Sequence, residues 1–199
     1  MISTKTIITF LSAVAFTQAA PSPAPEENLS PRADGEIQPS YRAAHSINWS
    51  YQNYCEAPTS YGYVYRNVYS GQEWGQSALY TFTYPAASAG KQCWLEFYHA
   101  QPNWISNPAG VQIDVFTSYA PTQCNTGSMS NNRDVNLGRL NVPATGAATW
   151  AATYSTKLTQ RGPCPAPGSV QALELVPVGD NMGISYPQDV GKGLRILYA

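Results

Sequence analysis

Charge is what this sequence has least of. Only 12% of its 199 residues are Asp, Glu, Lys or Arg, and 11 basic against 12 acidic side chains leave a formal net charge of −1. A typical soluble domain carries about twice that charged fraction. Such a chain lacks the basic face that nucleic-acid binders present and the polybasic segment of a membrane anchor. Neither partner is expected. The scarcity of Glu and Lys also removes the strong surface helix formers, and no helical period runs longer than one turn. Histidine occurs twice, as His45 and His99. No Cys-x-x-Cys, Gly-x-Ser-x-Gly, His-Glu-x-x-His or Gly-rich phosphate loop is present. Zinc-ribbon, thiol-redox, serine-hydrolase and nucleotide chemistry therefore lack their usual carriers. No catalytic residue, metal site or cofactor is expected.

Long apolar runs are also missing, with one exception at the N-terminus. Met1 to Lys5 carries one positive charge, Thr6 to Phe16 is apolar, and Thr17-Gln18-Ala19 offers small residues for cleavage. The run is too short for a stable bilayer-spanning helix, which needs about 20 residues. This layout is that of a signal peptide over residues 1–19, cut after Ala19. Residues 20–44 hold five prolines and four acids among few apolar side chains. They read as a disordered linker or pro-segment. A folded domain is expected over 45–199, secreted and monomeric, without a membrane anchor. Asn28-Leu-Ser30 and Asn48-Trp-Ser50 are glycosylation sequons.

What the chain does have is Tyr, Trp, Thr, Asn, Gly and Pro, a mixture that suits strands joined by turns. Period-2 alternation recurs at 62–69, 78–84, 93–100, 111–119, 134–142, 147–154, 170–178, 183–186 and 193–198. Regular strands with turn signals predict an all-β fold, an antiparallel Greek-key β-sandwich of about eight or nine strands. Alternation assigns Cys93, Leu95, Phe97 and His99 to one face, and Val111, Ile113 and Val115 to another. Between 134 and 142 the apolar phase slips, which predicts a β-bulge at Gly138. Gly179-Asp180-Asn181-Met182-Gly183 has oxygen donors for calcium, but a tight turn needs the same residues. The turn is the expectation.

Four cysteines in a secreted chain imply two disulfides. A hairpin between the strands at 93–100 and 111–119 would bring Cys93 near Cys124. The expected pairs are therefore Cys93–Cys124 and Cys55–Cys164.

Candidate chemistry is sparse. His45 and His99 could join a carboxylate in a metal site, yet no third ligand can be named; both read as ordinary structural or surface residues. Glu96 and Asp114 fall on successive strands and could neighbour each other as a glycosidase pair. A solvated sheet face explains them equally well. Aromatics are the most distinctive feature. Tyr61, Tyr63, Tyr65 and Tyr69 share one side of a strand, and Trp74 and Trp104 fall in loop-like segments. Exposed rings stack on the apolar faces of sugars; buried ones simply cover a sheet. Both readings stay open.

Several segments carry a resemblance. Tyr80-Thr-Phe-Thr-Tyr-Pro85 runs into Ala89-Gly-Lys-Gln-Cys-Trp-Leu-Glu-Phe97, followed by Ile113-Asp-Val-Phe116, Ala172-Leu-Glu-Leu-Val176 and Gly193-Leu-Arg-Ile196. This order resembles the fungal ubiquitin-3-binding-protein C-terminal domain family over about Tyr61 to Tyr198, with Cys93 as the best-matched residue. The resemblance implies a small secreted fungal protein and brings no catalytic residues. Three functions compete, in this order. The first is a non-enzymatic secreted or cell-wall protein whose partner is wall or host polysaccharide, or a host or wall protein. The second is a carbohydrate-binding module using Tyr61, Tyr63, Tyr65, Trp74 and Trp104. The third is a carboxylate or metal-dependent hydrolase built on His99, Glu96 and Asp114.

Overall fold

The computed structural model describes residues 33–46, 54–56, 61–100, 103–121 and 133–199. The chain divides into two units, Met1–Ser30 and Pro31–Ala199, and the described residues all belong to the second. The expectations for the signal segment 1–19, the sequons at Asn28 and Asn48, and Cys124 lie outside the described residues.

The described residues hold fourteen strands. They are β1 (Gly35–Ile37), β2 (Tyr41–Ser46), β3 (Tyr54–Glu56), β4 (Tyr61–Tyr69), β5 (Gln72–Thr83), β6 (Gln92–His99) and β7 (Val111–Ser118). The second half adds β8 (Arg133–Val142), β9 (Gly146–Ala147), β10 (Thr149–Thr153), β11 (Gly162–Pro163), β12 (Val170–Val178), β13 (Met182–Pro187) and β14 (Gly193–Tyr198). A 3-10 turn at Ala86–Ser88 is the one helical piece among them. No helix among the described residues is long and apolar enough to cross a membrane. The all-β expectation holds, and each of the nine expected strands is present. The strand count is corrected upward: β1, β2, β3, β9 and β11 were not foreseen. β1 and β2 also correct the linker boundary. Both lie wholly or mostly within 20–44, so residues expected to be disordered add strands to two sheets.

All pairings are antiparallel. One sheet runs β1-β14-β6-β11, with β9 on the same edge of β6 as β11. The larger sheet runs β10-β8-β7-β12-β5-β2-β3. β4 pairs with β13 over Tyr61–Arg66, forming a ribbon, and with the first part of β5 over Tyr65–Tyr69. Alternation decides which residues fill the interior. Cys93, Leu95, Phe97 and His99 are buried while Trp94, Glu96 and Tyr98 are half-buried. Val111, Ile113 and Val115 are buried in the same way from β7. They join one core with Tyr80, Phe82, Leu173, Leu175, Ile184, Tyr186 and Ile196. The bulge falls where the phase slip placed it. Val115 opposes Gly138 and Phe116 opposes Asn136, leaving Leu137 as the extra residue. That insertion turns Leu137, Leu140 and Val142 all inward. Gly138 sits at φ 155°, and a Cβ there would meet the Ala152 carbonyl oxygen at 2.4 Å.

The expected disulfide pairing is wrong. Cys93 is bonded to Cys164, with Cα atoms 4.9 Å apart, which excludes both Cys93–Cys124 and Cys55–Cys164. The hairpin argument failed because β6 and β7 belong to different sheets. β11 instead pairs with the start of β6, Gly162 opposite Cys93. The Cys164 amide donates to the Lys91 carbonyl at 2.8 Å, which brings the two sulfurs together. A sequence separation of 71 residues makes this crosslink worth about 4 kcal/mol in the chain-entropy model. The Cys93→Ala/Cys164→Ala double variant should therefore melt roughly 10 °C lower. A calorimetric scan that finds an unchanged melting temperature would contradict this.

Candidate functional site

The ribbon of β4 and β13 has two unlike faces. Gly62, Val64, Ile184 and Tyr186 turn inward. Gly62 is required there, because a Cβ would lie 2.2 Å from the Tyr186 ring and 2.5 Å from the Tyr80 hydroxyl. The other face carries Tyr61, Tyr63 and Tyr65, opposite Pro187, Ser185 and Gly183 in the register. Small residues on β13 thus lie under the tyrosine stripe.

The connection from β6 to β7 lays Trp104 on this face. Ile105 bridges Ile184. The Trp104 amide donates to Ser185 Oγ at 2.9 Å, and the Ser185 amide returns a bond to the Trp104 carbonyl at 2.8 Å. Ser106 closes a similar loop: its amide donates to the Gly183 carbonyl, and the Gly183 amide donates to Ser106 Oγ, both at 2.9 Å. Four bonds fix the backbone on either side of the indole. The ring then stacks on Tyr63, with centroids 5.8 Å apart and planes 5° from parallel. Tyr65 meets Tyr63 edge-on at 5.6 Å. A Cβ at Gly183 would come within 2.5 Å of the Trp104 ring, so only glycine admits this approach. Tyr61, Tyr63 and Trp104 remain 57%, 38% and 46% exposed.

The structure therefore brings together Tyr61, Tyr63, Tyr65 and Trp104. Trp74 opposes Asn67, which puts it on the same side of β4 but further toward the hairpin tip, half-buried. Sequence reasoning missed Ser106, Gly183 and Ser185. The only signal for Gly183 and Ser185 was the small character of alternate positions on β13; Ser106, in the β6–β7 connection, had none.

The carboxylate and metal candidates are not assembled. Glu96 lies in the smaller sheet and is ion-paired with Arg195. Asp114 lies in the larger sheet, gripped by Arg139 through two bonds of 2.7 and 2.9 Å. The expectation that they neighbour each other is corrected for the same reason as the disulfide. That grip is also why the Arg139 guanidinium is held above its ordinary value. His99 is fully buried and points at two carbonyls, Nδ1 to Pro143 and Nε2 to Ser185, each at 3.1 Å. It ties β6 to the β8–β9 connection and to the residue that holds Trp104. Among the described residues no three His, Cys, Asp or Glu side chains converge to hold a metal ion. The expected turn is present at Gly179–Asn181, with Met182 and Gly183 already in β13: Asp180 pairs with Arg66 at 3.0 Å and Asn181 Oδ1 accepts the Val68 amide at 3.1 Å.

A groove of about 590 Å³ opens at the strand ends where β7 and β13 start and β8 and β12 finish. Asn107, Gln112, Asn141, Val142, Val178 and Met182 are among its walls.

No protein-family model matches this chain, and no curated protein matches it.

Proposed function

We propose that this chain is a secreted, non-enzymatic protein that binds wall or host polysaccharide through the Tyr63–Trp104 platform. The stacked, half-exposed indole on a hydrogen-bonded backbone is the observation that carries the reading. A pyranose presents an apolar C–H face to such a ring, while phenolic hydroxyls can meet its polar rim. Holding the ring in place before binding spares the entropy of ordering it. The low charge of the chain suits a neutral polymer better than an acidic one.

The wider setting belongs to the same proposal. The N-terminal layout supports secretion with cleavage after Ala19, and the Cys93–Cys164 bond fits an oxidising compartment. The two sheets are read as the layers of a Greek-key sandwich. With Cys93–Cys164 formed, Cys55–Cys124 is the remaining pair for a second disulfide. Asn28 and Asn48 are read as glycosylation sites. The resemblance of the Gly90-Lys-Gln-Cys-Trp-Leu-Glu-Phe97 strand supports a fungal, extracellular protein. It acts as a monomer, and polysaccharide is its partner in place of a host or wall protein.

Co-sedimentation tests this directly. The purified mature protein should be retained on at least one of insoluble chitin, β-glucan and mannan. Failure to be retained on all three would sink the proposal.

A further inference from the structure

The groove at the strand ends is lined, among the described residues, by no ionisable side chain. Three carboxamides stand on its walls. Gln112 and Asn141 oppose each other across β7 and β8, and Gln112 Nε2 donates to Asn141 Oδ1 at 2.8 Å. That bond fixes both side chains and leaves Gln112 Oε1 as an acceptor and Asn141 Nδ2 as a donor. Asn107 Oδ1 accepts the Ala109 amide at 3.0 Å, which orients its own amide nitrogen. Val142, Val178 and Met182 supply apolar surface between these groups.

A fixed acceptor beside a fixed donor matches two adjacent hydroxyls of a sugar, each of which both donates and accepts. An ionic ligand finds no counter-charge here. A peptide adding as a strand finds no open ladder, because β7 is already paired on both edges, to β8 and to β12. We infer that this groove is a second binding site for a neutral saccharide, separate from the aromatic platform and working through Gln112, Asn141 and Asn107. The inference deepens the glycan reading and rests on it. Two sites on one scaffold would hold a polymer longer than either alone, through effective concentration.

The test titrates isotope-labelled mature protein with linear hexasaccharides of N-acetylglucosamine, glucose and mannose, followed by NMR. The side-chain amide resonances of Gln112 and Asn141 should move along with the Trp104 indole resonance. In the Gln112→Ala/Asn141→Ala variant, affinity read at Asn107 should fall about tenfold, with the Trp104 response kept. Both positions are half-buried or exposed, and an otherwise unchanged spectrum verifies the fold. If Trp104 responds while Gln112, Asn141 and Asn107 stay still for all three sugars, the groove inference is overturned and the platform stands. If the groove responds and Trp104 does not, the platform reading fails alone. A groove that responds to an unrelated neutral peptide and to no sugar also overturns the inference.

Discussion

Between pH 10 and about pH 12 the protein is expected to unfold cooperatively. Tyr80 and Tyr186 lie wholly in the core and share a hydrogen bond of 2.7 Å between their hydroxyls. Burial pushes Tyr80 up from its ordinary value of 10.0 to about 12, against smaller opposing effects of that hydrogen bond and of Arg42. Burial also pushes Tyr186 well above 10.0, reinforced by Tyr80. Both groups are held neutral in the fold but ionise near 10 once the chain is unfolded. Their contribution is therefore complete below pH 10 and is lost as pH rises toward the folded values. Tyr80 removes about 1.4 kcal/mol per pH unit in that window, and Tyr186 acts in the same direction. By pH 12 Tyr80 alone has removed roughly 3 kcal/mol, a large part of a domain stability of about 5–15 kcal/mol. Tyrosinate absorbance and near-ultraviolet circular dichroism should show one shared step above pH 10. If every tyrosine titrates near 10 with the fold intact, the account of this core is wrong.

The second large effect is on binding. Trp104→Ala should weaken polysaccharide retention roughly thirtyfold, since truncating a central aromatic anchor costs about 2 kcal/mol or more. The indole is 46% exposed, so the melting temperature should move by only a few degrees. Gly183→Ala should mimic the loss from beneath, because its Cβ would occupy space taken by the ring at 2.5 Å and by Tyr65 Cβ at 2.7 Å. Trp104→Phe should recover part of the affinity. Equal retention by Trp104→Ala and the parent would show that the stacked ring is not the binding surface.

How much of this could be read from the sequence depends on the kind of information each feature needs. Alternation is local, so the inward faces of β6 and β7 were legible, as was the Gly138 bulge. Which strands share a sheet is not local. Cys93 was therefore assigned to the wrong partner, and Glu96 was placed beside Asp114 although the two lie in different sheets. β1 and β2 were missed because prolines and acids dominate that stretch, yet backbone pairing of Gly35–Ile37 to β14 and of Tyr41–Ser46 to β5 needs no apolar side chain. The tyrosine stripe was legible from its spacing. Trp104 is grouped with it from the sequence, but its stacking on Tyr63 was not legible, because the bridge between Ile105 and Ile184 that lays it over Gly183 leaves no periodic trace. His99 looked like a candidate ligand only because it is rare; its two carbonyl partners, in the β8–β9 connection and on β13, are distant in the sequence.

The central claim is that a sugar rests on the Tyr63–Trp104 pair, and the indole Nε1–H resonance of Trp104 reports on it most directly. The chain has five tryptophans, and Trp94 and Trp150, which lie away from the platform, serve as internal references in the same spectrum. On addition of the oligosaccharide whose polymer retains the protein, the Trp104 signal should shift saturably while those of Trp94 and Trp150 stay in place. A Trp104 signal that does not move at saturating sugar would contradict the account.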